Sequence, residues 1–156
     1  MTDRTPVYSP REDVHWLMAR LARSLGMVEA AAVEPHGISL REFVVLAEVD
    51  VEAGRSQLAV ARAAAVDRSL MVTVVDSLES KGLVERSPHP TDRRVRTLGI
   101  TADGRAVLAK AAIAVREAED RLLASLPAKR QTDLRALLGD LAANAADAGF
   151  DVTPCV

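Results

Sequence analysis

Apolar residues along this chain recur mostly at intervals of three and four, the period of helices that turn one side to a core. Val14, Leu17, Met18, Leu21 and Leu25 form the first such stripe and predict a helix that starts near Pro10 and ends before Pro35. After a break at Gly37, the run S-L-R-E from Ser39 to Glu42 has the spacing of a capping box. The helix it opens carries Leu40, Phe43, Val44, Leu46 and Ala47 and stops near Gly54. Ser56 is placed to cap a third helix, Gln57 to about Ala65, and Asp67 a fourth, Arg68 to Lys81, ended by Gly82. So tight a join between two short helices is the spacing of a helix-turn-helix.

The period then changes. Leu83–Ser87 and Val95–Ile100 read as strands, joined by the polar turn S-P-H-P-T-D-R-R with its two prolines. A β-hairpin directly after a helix-turn-helix is a wing. Thr101 caps a long helix through Ala124, with Ala106, Leu108, Ala109, Ala112 and Ile113 on its apolar side. Pro127 opens a last helix lined by Leu134, Leu137, Leu138 and Leu141. The fold class predicted is mainly α with a small β-hairpin wing (α+β), a winged helix-turn-helix. A single chain unit over 1–156 is expected, with the winged lobe at 39–100 and dimerisation helices at 10–34 and 101–147. These last helices carry more apolar surface than a monomer of this size leaves uncovered, which predicts a two-fold homodimer.

Composition sharpens this. Only 3% of residues are aromatic, so the core is built from Leu, Val, Ala and Met, which suits packed helices. The first sixteen residues hold no apolar signal core, no run is long enough to span a membrane, and the single Cys155 excludes an internal disulfide framework. A cytoplasmic protein is expected. The net charge of −2 conceals an asymmetry: from Arg55 to Arg96 eight Lys or Arg stand against five Asp or Glu, a net of +3, leaving −5 for the remainder. A basic middle between acidic arms fits a DNA-reading lobe in a dimerising frame.

Catalytic and metal chemistry find little support. His15, His36 and His89 are scattered without ligand spacing, and Cys155 has no resolving partner. No nucleophile elbow, Gly-rich phosphate loop or catalytic carboxylate pair is present. No enzyme, metal or cofactor is expected.

On the fourth helix, about 100° per residue puts Met71, Val74, Val75 and Leu78 on one side and Ser69, Val72, Thr73, Asp76, Ser77 and Ser80 on the other, with Leu70 at the flank. The small side chains of the second face let a backbone approach a DNA major groove closely.

The stretch from Asp67 to Arg105 carries T-x-x-D-x-L-E-x-K-G-L-V-x-R, then D-R-R, then L-x-I-T-x-x-G. It resembles the MarR family of bacterial regulators, and the flanking helices match in order and length. The resemblance implies a triangular homodimer with its terminal helices as base, and a fourth helix whose Ser69, Leu70, Val72, Thr73 and Ser77 read the major groove. It implies that Asp92 and Arg94 orient the wing, leaving Arg93 for the minor groove, where a narrow A·T-rich groove attracts it. Arg55, Arg62, Arg68, Arg86 and Arg96 are phosphate candidates. The family usually offers Thr and Arg on its recognition helix, whereas this helix has no arginine on that face. The resemblance also implies a ligand-responsive repressor that releases a pseudo-palindromic operator on binding a small aromatic or phenolic anion. Trp16, with Arg20 one turn away and His15 adjacent, is the effector candidate. The alternative reading is a winged-helix dimerisation or protein-interaction module that no longer reads DNA.

Overall fold

The computed structural model describes residues 9, 11–89 and 96–147. Its main elements are α1 (Val14–Val33), α2 (Leu40–Val51), α3 (Gln57–Ala63), α4 (Arg68–Ser80), β1 (Val84–Pro88), β2 (Arg96–Ile100), α5 (Ala102–Leu122) and α6 (Ala128–Asp147), with short 3-10 turns at Glu34–His36 and Leu123–Ser125.

Caps set most helix starts. The Asp13 carboxylate accepts the Trp16 amide at 2.8 Å, so α1 begins at Val14 rather than near Pro10. At α2 both halves of the capping box form, Glu42 N–H to Ser39 Oγ at 3.2 Å and Ser39 N–H to Glu42 Oε2 at 2.7 Å. Ser56, Asp67 and Thr101 each accept an amide at the head of α3, α4 and α5. Between α3 and α4 the turn passes through Ala65 at φ 50°, a left-handed conformation in which the side chain brings strain.

The hairpin pairs β1 and β2 antiparallel, from Val84 opposite Ile100 to Pro88 opposite Arg96. The Leu98 amide also donates to the Arg55 carbonyl at 3.0 Å, fastening the wing to the start of α3. Gly104 is the joint to α5. A Cβ there would stand 2.1 Å from the Leu83 carbonyl oxygen, so only glycine lets the helix start lie against the hairpin backbone.

The core sits in the lobe. Leu46, Met71, Leu78 and Leu98 are its largest fully buried side chains, joined by Val45, Val49, Val60 and Val75. Burial of each large apolar side chain stabilises by about 1.5–3 kcal/mol. The inner face of α2 is thus shifted from the sequence-predicted stripe: Val45 and Val49 are buried, while Phe43, Val44 and Ala47 are only half-buried. In α5 the departure is larger. Gly104, Ala111, Val115 and Ala118 face inward, whereas Ala106, Ala109, Ala112 and Ile113 are exposed and only Leu108 is half-buried. That helix is apolar on two sides, and a periodicity argument finds one without telling which side the chain itself covers. α1 packs mainly on α5, while α6 rests only lightly on the rest, tied by Arg135 to Asp120 (2.7 Å) and Glu119 (3.5 Å).

Candidate nucleic-acid interface

The inner side of α4 is as the periodicity predicts. Met71, Val74, Val75 and Leu78 are buried against α2 and the hairpin. Opposite them Ser69, Leu70, Val72, Thr73, Asp76 and Ser80 are exposed. Ser77 is not part of that face. It is half-buried, and its hydroxyl donates to Glu42 Oε1 at 2.6 Å.

Glu42 explains that diversion. Its side chain is buried, and beside its capping bond it receives Ser77 and the Lys81 ammonium at 2.7 Å, while Lys81 also donates to the Gly37 carbonyl at 2.9 Å. Burial by itself raises the carboxyl pKa, but the bonds from Lys81, Ser39 and Ser77 outweigh it and bring it down to about 2. A buried anion so held pins the C-terminal end of α4 to the N-terminus of α2. The capping box was visible in sequence; its link to residues 35 and 39 positions away was not, because nothing local announces it.

Charged residues around α4 sort into two kinds. Arg62 and Arg68 are exposed at its N-terminal end. Arg55 is mostly covered instead: its guanidinium bonds the Glu48 carboxylate at 3.2 Å and the Glu48 and Ala59 carbonyls, bracing α2 against α3. Arg86, on β1, is clamped by Asp76 and Glu79 of α4, each at 2.5 Å, and touches Gln57. It neutralises two acids on the helix rather than facing outward. At the other end Asp67 accepts both the amide and hydroxyl of Ser69, at 2.7 and 2.6 Å. These bonds, the Ser69 hydroxyl first, hold the Asp67 carboxyl below its usual range. Asp92, Arg93, Arg94 and Cys155 lie outside the described residues.

On α1, Arg20 stacks over the Trp16 indole, 5.2 Å from the ring centroid. Together with Ala19 and Arg23 they line a cleft of about 310 Å³. His15 is exposed and does not line it. Arg23, one turn beyond Ala19, is a lining residue that the sequence reading missed. Among the described residues no cluster of three His, Cys, Asp or Glu could hold a metal ion, and no helix is long and apolar enough to cross a membrane.

The fold and site define a winged helix-turn-helix regulator. The chain belongs to the MarR family, transcriptional regulators rather than enzymes: the family model matches residues 36–95. It is similar to the HTH-type transcriptional repressor Rv2887 of Mycobacterium tuberculosis, 35% identical over 126 residues that cover 81% of this chain and 91% of the relative. Among solved structures it resembles the transcriptional repressor CouR bound to a 23-mer DNA duplex, with a TM-score of 0.77, 31% identity, and coverage of 85% of this chain and 94% of that one. It also resembles the M. tuberculosis protein Rv2887 in complex with salicylic acid, with a TM-score of 0.72, 34% identity, and coverage of 84% and 98%.

Proposed function

We propose that this chain is a ligand-responsive repressor, acting in the cytoplasm as a two-fold homodimer on a pseudo-palindromic double-stranded operator. The observation that carries the reading is the exposed face of α4: small and apolar side chains beyond an exposed pair of arginines, with its two acids neutralised by Arg86. In this reading Ser69, Leu70, Val72 and Thr73 face the major groove, while Arg62 and Arg68 take phosphates. Arg55 and Ser77 act indirectly, by bracing α2 against α3 and α4. Arg93 and Arg94 serve the wing, with Asp92 orienting Arg94. The terminal helices α1, α5 and α6 join the two copies through the apolar residues they expose.

The cleft at Trp16 and Arg20 takes the effector. Rv2887 and CouR have been crystallised with salicylic acid and p-coumaroyl-CoA, which are aromatic anions. Here an indole face and the guanidinium groups of Arg20 and Arg23 offer stacking and pairing to a ligand of that class. A ligand that favours another spacing of the two lobes releases the operator, and a coupling of about 1–3 kcal/mol weakens binding 5–150-fold.

Selection from a pool of random duplexes, followed by footprinting, tests the DNA reading. The expected result is a two-fold symmetric footprint with half-sites about 34–36 Å apart; an asymmetric footprint contradicts it. Titration with salicylate tests the effector reading: Trp16 fluorescence and operator release should change together, and quenching without release contradicts a regulatory role for the cleft.

A further inference from the structure

We infer that the base-reading surface of this protein is apolar and selects the 5-methyl group of thymine, with Leu58 of α3 reading beside Val72 of α4. The inference rests on the proposal that α4 enters the major groove, and it names what is recognised there.

From residue 69 to residue 80, α4 contains no Arg, Lys, Asn or Gln, the side chains that grip guanine or adenine bidentately. The shorter polar groups are largely committed within the protein. The Ser69 hydroxyl bonds Asp67, that of Ser77 bonds Glu42, and that of Ser80 bonds the Ser77 carbonyl. Asp76 and Glu79 are held by Arg86. Thr73 carries the remaining hydroxyl of the face. What the face offers instead is apolar surface: Val72 is 46% exposed and Leu70 44%.

Leu58, also 44% exposed, extends this surface onto the neighbouring helix. With Val72 it borders a cleft of about 200 Å³ between α3 and α4, closed by Gln57, Ala61, Arg68 and Met71. In the major groove only thymine presents a methyl group; against Leu58 and Val72 the other bases present donors and acceptors left unpaired, because the Gln57 side-chain oxygen already accepts from Arg86 at 3.5 Å and Arg68 is assigned to a phosphate. The occupant is a DNA edge because the cleft is bordered by Arg68 and has exposed Arg62 on the same short helix as Leu58, a charge arrangement suited to phosphates on either side of the groove.

The test uses the full chain and an operator selected from random duplexes, resynthesised with deoxyuridine in place of thymidine at one position at a time. Uracil keeps the pairing and the O4 acceptor and loses only the methyl. At one thymine in each half-site the substitution should weaken binding by about fourfold, and by about fifteenfold when made in both, as expected for burial of one methyl-sized group each. Leu58→Ser and Val72→Ser, both at exposed positions, should bring that thymine-to-uracil ratio toward one with helix content and dimer mass unchanged. Arg62→Ala should weaken both operators alike. A ratio of one at every position, or a ratio unchanged in both serine variants, overturns the methyl readout while leaving the DNA-reading function intact. Failure to select any sequence overturns both.

Discussion

The winged lobe and the terminal helices solve opposite problems with similar materials. In the lobe, α2, α3, α4 and the hairpin enclose a core and leave Leu58, Leu70 and Val72 exposed at the proposed reading surface, and the buried charge of Glu42 is fully bonded. In the terminal helices a second set of apolar residues stays in view: Val14, Leu17, Met18 and Met27 on α1, Ile113 on α5, and Leu137, Leu138 and Leu141 on α6. The lobe is a finished unit that presents a surface. In the proposed dimer the base is half of a core whose other half a second copy supplies.

The strongest way to break that contrast is to charge the base. Leu137 and Leu141 are 60% and 58% exposed in the single chain. Leu137→Glu with Leu141→Glu puts four charges into a two-fold interface, and should raise the dimer dissociation constant on the order of a thousandfold or more. Sedimentation should then show monomers at micromolar protein, with operator binding lost. Amide exchange at Leu46 and Leu78 should remain as slow as before, because the lobe does not depend on α6. An unchanged dimer places the interface elsewhere.

The matching blow to the lobe is Glu42→Gln. The carboxyl sits at about 2 against its ordinary 4.5. Its contribution is therefore complete above about pH 4.5 and is lost as pH falls from there toward about 2. A gap of that size corresponds to about 3 kcal/mol. Glu42→Gln should lower stability at pH 7 by about that amount and flatten the acid limb of the stability curve, both read by denaturant unfolding. A variant that kept the wild-type acid limb would assign it to another carboxylate.

Arg86→Ala sharpens the comparison within the lobe. It leaves the lobe folded and exposes Asp76 and Glu79 as bare anions beside the phosphates. Binding to all duplexes should weaken by about tenfold at low salt, and the deficit should shrink as salt rises. Adding Asp76→Asn and Glu79→Gln should restore most of it. If the triple variant recovers nothing and the salt slope falls by about one, Arg86 itself holds a phosphate.

What could be read in the sequence follows the same division. Caps, the helix-turn-helix, the hairpin and the inner face of α4 are local matters of spacing, and Ser39, Ser56, Asp67 and Thr101 announce them directly. The choice of which apolar face of α5 turns inward depends on packing against α1, which periodicity does not contain. The partners of charged side chains were hidden for a related reason. Arg55 and Arg86 read as phosphate contacts because they are basic and lie near the reading helix, yet Glu48, Asp76 and Glu79 come to meet them only in the fold. Ser77 fits the groove face by angle and is drawn off it by Glu42, 35 residues away.

The smallest expected effect concerns Glu29, the counterpart of Glu42 in the base. It is half-buried on α1, and burial first, then the nearby charge of Glu119 on α5, raise its carboxyl pKa. The sign is the reverse of the lobe's. A carboxyl whose folded pKa is raised favours folding while it is protonated, and loses that advantage as pH rises through its folded value. Glu29 and Glu119 therefore oppose each other at neutral pH, with Arg135, 3.5 Å from Glu119, as the nearby counter-charge. Glu29→Gln should raise the unfolding midpoint slightly at pH 7, and the gain should fade toward pH 4, where wild-type Glu29 already carries its proton. The lobe thus weakens on acidification through Glu42 while the base is relieved through Glu29. The same measurement at protein concentrations above and below dimerisation locates the effect. A gain independent of concentration belongs to the α1–α5 contact within one chain. A loss at pH 7 that appears only in the dimer would mean that Glu29 meets a cation of the partner, and that the second copy completes the electrostatics of the base as well as its core.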